Sequence, residues 1–193
     1  MPPALPRETS TSHLLLIVSG AASAMFTPFH LRWLQRTYPD LSIRIIVTDA
    51  AARFVQPAAL QLLSGGPVYR DNWQEWGAAN SVHVELALWA DAVIINPASF
   101  NYMNEYAAGL GSRPSLLTLH MTTAPKIFSP SVPPGIDPQP WLERLRNIPR
   151  TYVSDFARAE SQGTGRLEET ASIPLVASMT LLEEILEKED THD

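Results

Sequence analysis

The chain alternates short apolar runs with stretches of helical spacing. Leu14 to Val18 is a continuous apolar run that ends in the small-residue turn SGAASA at 19–24, the pattern of a buried parallel strand turning directly into a helix. That helix is expected to carry Phe29, Leu31, Trp33 and Leu34 and to stop at Tyr38, Pro39 and Asp40. Ile43 to Val47 is a second β-branched run, with Thr48 to Val55 expected to start the next helix. Two such units in succession imply a right-handed crossover. Gln56 to Leu63 reads as helix, SGGP at 64–67 as its break, Val68 and Tyr69 as a short strand, and Asp71 to Asn80 as a loop bearing two tryptophans. Val82 to Ala90 has helical spacing, with Val82, Leu86 and Trp89 on one face, and Ala92 to Ile95 is the third core strand. Asn101 to Leu110 is expected to be a helix stopped by Gly109 and Gly111. Leu116 to Leu119 and Lys126 to Phe128 read as short strands, and the proline-dense stretch Ser129 to Pro140 as irregular, because proline removes amide donors and fixes φ. Trp141 to Asn147 resumes a helix, Thr151 to Val153 suits an edge strand, Ala159 to Arg166 is a polar loop, and Val176 to Lys188 is a final amphipathic helix.

Repeated strand-then-helix alternation predicts a single-domain α/β fold, a Rossmann-like (flavodoxin-like) three-layer open parallel sheet with helices on both faces. The domain is expected to span 13–188, after a Pro-, Ser- and Thr-rich disordered lead-in at 1–12 and before an acidic tail at 189–193. Ligands of such sheets bind beyond the carboxyl ends of the strands. The turns at 19–24, 48–53 and 96–101 therefore share one candidate edge.

Composition narrows the chemistry. The 193 residues carry a formal charge of −6, with no basic face of the kind nucleic acid requires; a small molecule or peptide is the expected partner. The run at 14–18 is too short to span a bilayer, and the segment with Arg7 and Glu8 lacks a signal-peptide pattern, so the protein is expected to be cytoplasmic and away from membranes. No cysteine occurs, which removes disulfides, thiolate metal sites and a cysteine nucleophile. The five histidines form no i, i+4 pair and no H-E-x-x-H arrangement, so no metal site is expected. His30 and His120 have no partner pattern, and the acidic run Glu183 to Asp190 reads as a solvated face and tail.

The turn Ser19-Gly20-Ala21 lacks both the G-x-G-x-x-G spacing and a P-loop lysine, so alone it is as consistent with a close-packed turn as with a phosphate site. Three turns on one edge, with hydroxyls on Ser19, Ser23, Thr48 and Ser99, would suit a monophosphate without a metal. His83, at the start of a helix, is either a satisfied structural residue or the acid/base of a site on that edge.

The run His83-Val84-Glu85-Leu86, then a buried strand, then Pro97-Ala98-Ser99-Phe100-Asn101-Tyr102 resembles the homo-oligomeric flavin-containing cysteine decarboxylases. That family includes the peptidyl-cysteine decarboxylases of lantibiotic-type peptide maturation and the phosphopantothenoylcysteine decarboxylases. The resemblance extends from the turn at 19–21 to Arg166 and Leu167. It implies FMN, with FAD as the alternative, bound at subunit contacts of a trimer, the trimers assembling into a dodecamer. It assigns catalysis to His83 as acid/base and to Asn101, and cofactor contacts to Ser19, Gly20, Ala21, Ser23, Thr48, Arg53, Pro97, Ala98 and Ser99. Substrate contacts fall on Asn101, Met103, Pro130, Gly163, Gly165 and Arg166, the last three in the clamp-like run GTGRL. Trp73 and Trp76 are expected in packing or oligomer contacts, with flavin stacking as the other reading. The implied chemistry oxidises a C-terminal cysteine so that its electron-poor carbon stabilises the charge left by departing CO2.

Besides Tyr102, which stands where the family's motif usually has threonine, the chain departs from the family in three places. The substrate motif P-x-M-N-x-x-M-W is replaced by PSVPPGID at 130–137, with Pro133 at about the place of its asparagine; Ala50 stands where the second phosphate turn has serine; and the cysteine that completes ene-thiol reduction in phosphopantothenoylcysteine decarboxylases is missing around Phe156 to Glu160. The expected activity is therefore oxidative decarboxylation of a precursor peptide's C-terminal cysteine, ending at the ene-thiol. The alternatives are a phosphopantothenoylcysteine-type decarboxylase, a flavin prenyltransferase-like enzyme with Arg53 and Arg113 as phosphate partners, or a noncatalytic flavin-binding subunit.

Overall fold

A computed structural model describes residues 11–76, 81–133, 135–155, 157–160, 165–171 and 174–190. Its elements are, in order, β1 (His13–Val18), α1 (Thr27–Thr37), β2 (Ser42–Val47), α2 (Pro57–Ser64), β3 (Val68–Arg70), α3 (Trp73–Trp76), α4 (Val82–Trp89), β4 (Ala92–Ser99), α5 (Phe100–Ala107), α6 (Pro114–Met121), β5 (Lys126–Ser131), α7 (Gln139–Arg146), β6 (Thr151–Val153), β7 (Ala157–Glu160), β8 (Leu167–Ala171) and α8 (Leu175–Asp190). Strands β1 to β6 form one parallel sheet in the order β3-β2-β1-β4-β5-β6, and β7 and β8 form an antiparallel pair. This is the doubly wound three-layer arrangement expected, with its order reversing between β1 and β4.

Alternation along the strands splits the core in two. Leu14, Leu16 and Val18 of β1 join Ile45 and Val47 of β2 on the face covered by α1, α2 and α8, while Leu15, Ile17 and Ile46 face α4 to α7. Burial on both sides explains why the central strands read as unbroken apolar runs. Helix α8 contributes Leu175, Met179, Leu182 and Ile185 to the first layer at helical spacing.

Several expected boundaries shift. Leu116 to Leu119 lies inside α6, not in a strand; a four-residue apolar run fits either state, and Pro114 at the first helical turn marks the true start. The stretch from Ser129 is not all irregular, because β5 continues to Ser131 with Pro130 opposite Ala98, and α7 already starts at Gln139. Thr48 to Val55 opens into a single 3₁₀ turn at Ala51–Arg53, and the helix begins at Pro57. The loop expected from Asp71 contains the one-turn α3, and Ala159 and Glu160 pair with β8. Thr11 and Ser12 are not a disordered lead-in: Thr11 is buried and Ser12 O accepts the Ser42 amide at 2.9 Å. Nor is the acidic run merely solvated, since α8 reaches Asp190, Glu189 meets Arg150 at 2.8 Å and Glu183 accepts the Tyr38 hydroxyl at 2.6 Å. No helix among the described residues is long and apolar enough to cross a membrane.

Candidate functional site

The reversal between β1 and β4 opens a crevice at the carboxyl ends of the strands, and the residues there are stitched together. Ser19 Oγ donates to Pro97 O at 2.7 Å and accepts the Ser99 amide at 2.7 Å, and the Ser19 amide reaches Pro97 O at 3.2 Å. The register of β4 on β5 shifts between Ile95 and Ala98, alongside a cis Asn96–Pro97 bond. The Ser99 hydroxyl then caps α5, accepting from the Tyr102 amide at 3.4 Å. The turn after β2 joins the same edge: the Thr48 amide bonds Val18 O at 3.0 Å, and Thr48 Oγ1 accepts from the Ala51 amide at 3.1 Å. Gly20 lies so close to this second turn that a Cβ on it would sit 2.3 Å from Ala50 Cβ.

These bonds sort the expected hydroxyls. That of Ser19 is spent in both directions on the turns, so its side chain is a staple and not a ligand group. Thr48 and Ser99 each use an acceptor position on their own turns. Ser23 Oγ is buried without a hydrogen-bond partner. An orphaned hydroxyl on a turn at the crevice is the feature a phosphate-bearing cofactor would satisfy, and the residues present fit such a group. Arg53 is exposed beside them, whereas Pro97 and Ala98 are buried in the sheet and could meet a ligand only through backbone.

His83 sits in the first turn of α4. That helix runs back from the carboxyl edge toward the start of β4, which brings the histidine to the same edge as the turns. Its ring packs edge-on against Trp73, centroids 5.6 Å apart at 80°, and its Nδ1 is buried without a partner. Trp76, by contrast, is a core residue whose Nε1 donates to Arg70 O. Asn101 is exposed on α5, where its Nδ2 donates to Glu105 Oε1 at 2.9 Å. Met103 is 1% exposed and packs in the core, which removes it from the substrate surface; its position on α5 faces the sheet. Pro130 is buried in β5 beside Ala98. Gly165, with φ 65°, and Arg166 are both exposed, while Gly163 lies outside the described residues.

A polar network behind Asn101 was not expected. Glu105 pairs with Arg113 at 2.8 Å, and Arg113 Nε lies 4.0 Å from the fully buried Asp71. Asp71 accepts the Ser115 amide at 2.9 Å and its hydroxyl at 2.7 Å, and Ser115 Oγ accepts from Tyr102 at 2.8 Å. Burial pushes the Asp71 carboxyl above its ordinary range, against the opposing pull of Ser115 and Arg113. Burial also raises the Tyr102 phenol, with Asp71 adding to it. Nearby, the exposed Asp49 is held low mainly by its hydrogen bond from Arg70. The local i, i+4 spacing of Asn101 and Glu105 was the one sequence signal of this network.

Met25, Phe26, Phe54 and Trp73 are exposed apolar side chains on the segments after β1, β2 and β3, so the crevice is rimmed by surface of the kind that marks a binding face. Among the described residues no group of three or more His, Asp or Glu could hold a metal ion.

A family model described as Flavoprotein matches residues 3–133. The coenzyme A biosynthesis bifunctional protein CoaBC of Bacillus subtilis (strain 168) is 31% identical over 74% of this chain and 37% of its own length. The cypemycin cysteine dehydrogenase (decarboxylating) of Streptomyces sp is 29% identical over 60% of this chain and 61% of its own. The chain thus spans less than two thirds of the length of either relative. The solved structure of the FMN-dependent cysteine decarboxylase SpaF superposes with a TM-score of 0.71 at 23% identity, over 88% of this chain and 95% of that one, a likeness of fold.

Proposed function

Since this chain belongs to the flavoprotein family, with cysteine decarboxylases among its relatives, we propose that it binds FMN and decarboxylates the C-terminal cysteine of a precursor peptide. The products would be CO2 and an ene-thiol, with two hydrogens passed to the cofactor. The observation that carries this reading is His83, a half-buried imidazole with an unpartnered Nδ1 at the carboxyl edge of the sheet.

A bound flavin supplies the two-electron oxidation at the thiol-bearing carbon. The chain's residues do the rest. Ser23, with the turns carrying Gly20 and Thr48, would hold the phosphate end. His83, its ring plane set by Trp73, has an Nδ1 not committed to any other hydrogen bond, and its imidazole would take or return the cysteine proton. Glu105 draws the Asn101 amide nitrogen toward itself, so Asn101 Oδ1 is the group left to accept a peptide N–H. The exposed apolar rim of Phe26, Phe54 and Trp73 supports a homo-oligomer, in which a neighbouring copy would cover the crevice and keep water from the reacting carbon.

The CoaBC relative favours a second reading, a phosphopantothenoylcysteine-type decarboxylase. The absence of cysteine weighs against a reductive second half-reaction and for a product left as the ene-thiol. The test is to incubate the yellow, FMN-loaded protein with short peptides ending in cysteine and, separately, with phosphopantothenoylcysteine, and to follow mass. Loss of CO2 plus two hydrogens from a peptide supports the proposal; loss from phosphopantothenoylcysteine alone selects the second reading. We expect His83→Ala to keep the flavin spectrum and lose the mass change; a colourless protein that takes up no FMN would overturn both readings.

A further inference from the structure

The opposite edge of the sheet holds a feature that the flavin reading leaves unused. At the amino ends of β5 and β6, a cavity of about 280 Å³ is lined by Tyr106, His120, Thr123, Lys126, Pro149 and Arg150, among others. Lys126 is only 4% exposed. Its ammonium carries three donors, yet Nζ makes one hydrogen bond, to Ala124 O at 3.2 Å, and among the described residues no carboxylate pairs with it. The charge that acts on it is a like one, Arg150. Arg150 is itself neutralised by Glu189 at 2.8 Å, so one positive charge in the cavity has no partner among the described residues.

A buried cation with two unmade hydrogen bonds is costly, and an apolar side chain of similar volume would normally serve a strand better. The neighbours Ile127 and Phe128 are apolar and fully buried. A water molecule would satisfy the donors without balancing the charge. An oxyanion does both. The cavity also offers it the Thr123 hydroxyl, while His120, also in its wall, spends Nε2 on Leu110 O at 3.2 Å and stacks on Tyr106 at 4.9 Å. We propose that this cavity is a second ligand site, at the edge opposite the flavin turns, taking a small oxyanion, phosphate or carboxylate, on Lys126 with Arg150 at its rim. Burial, reinforced by Arg150, draws the Lys126 ammonium down to about 8, a direction that a bound anion would reverse.

The test uses FMN-loaded protein, so that phosphate does not simply fill the cofactor turns. Lysine acylation by a small acetylating reagent at pH 8 is mapped by peptide mass spectrometry, with Lys188, exposed on α8, as the internal reference. At an anion concentration ten times its dissociation constant, Lys126 should react about ten-fold more slowly, while Lys188 is unchanged. Protection by phosphate but not acetate identifies a phosphate site, and the converse a carboxylate site. In parallel, the same anion should give a saturable rise in Tm at constant ionic strength that Lys126→Met removes while FMN uptake persists. Equal acylation of both lysines with and without either anion, or an undiminished rise in Lys126→Met, overturns the proposal.

Discussion

Gly20→Ala tests whether the turns after β1 and β2 form a single cradle. The added Cβ would lie 2.3 Å from Ala50 Cβ, where ordinary contact begins near 3.4 Å. Neither atom can rotate away, because each is fixed to backbone. The turn after β1 must therefore move, and it is held to β4 through Ser19, Pro97 and Ser99. Overpacking of this kind costs about 1–3 kcal/mol, and if the whole of it is taken from cofactor binding, FMN affinity falls by about 5- to 150-fold. Ala50→Gly in the same chain removes the colliding methyl and leaves contacts of 3.3 Å to Ala50 C and Cα, tight but tolerable. The assay is fluorescence titration of FMN against the apoprotein, with urea unfolding alongside to separate lost stability from lost affinity. Affinity should drop in Gly20→Ala and recover substantially in the double variant. If Gly20→Ala binds FMN as the wild type does, the two turns do not act together on the cofactor; if the double variant is as weak as the single one, the collision is not the cause.

Ser115→Ala removes the hydroxyl that joins Asp71 to Tyr102; with a charge-assisted bond lost and a buried phenol stranded, unfolding free energy should fall by about 2–4 kcal/mol, read from urea midpoints, and a change below about 0.5 kcal/mol would show that water replaces it. Lys126 gives a pH signature: its folded-state pKa of about 8 lies below the ordinary 10.5, so across that window the unfolded chain holds the extra proton and stability contributed by this group rises with pH. Lys126→Met should accordingly be more stable than wild type at pH 7 in buffers free of oxyanions, by at most about 3 kcal/mol before screening at the rim is discounted, with the gap narrowing from about pH 8 and closing only above the ordinary lysine value of 10.5; a gap independent of pH would refute the assignment.

The parts of the fold that were legible are those where burial on both faces writes itself into composition. Residues 14–18 of β1, 45–47 of β2 and 93–95 of β4 are runs of Leu, Ile and Val because each side of the sheet is covered, and strands so buried are joined by right-handed crossovers. What misled was local ambiguity. Leu116 to Leu119 is apolar for the reason a strand would be, yet Ser115 and Thr118, beside and within it, are also fully buried, and their polar groups find partners in helical geometry, Thr118 Oγ1 on Pro114 O at 3.1 Å. Pro130 argued against a strand and is nevertheless in one, opposite Ala98, where the β4–β5 register has already shifted.

The candidate site divides along the same line. His83 and the end of β4 at 97–99 lie within one strand and its flank, so sequence spacing alone carries them to the carboxyl edge. The support behind them does not lie in one segment: Asp71 meets Ser115 across 44 positions, and Ser19 meets Ser99 across 80. No periodicity reports contacts of that range, and this is why the sequence pattern offers Ser19 as a ligand group where the sheet uses its hydroxyl as a rivet. Once the spent hydroxyls are set aside, the buried polar atoms at this edge that lack a partner among the described residues include Ser23 Oγ, Thr27 Oγ1, Arg70 Nε and His83 Nδ1. Buried groups of that kind are normally satisfied, so a ligand that reaches Ser23 and His83 would balance part of this edge, with an acceptor-rich end at Ser23 and a proton to exchange at His83. A phosphate-bearing cofactor and a thiol substrate have those two properties, which is the physical ground for the proposal that Ser23 meets the one and His83 the other.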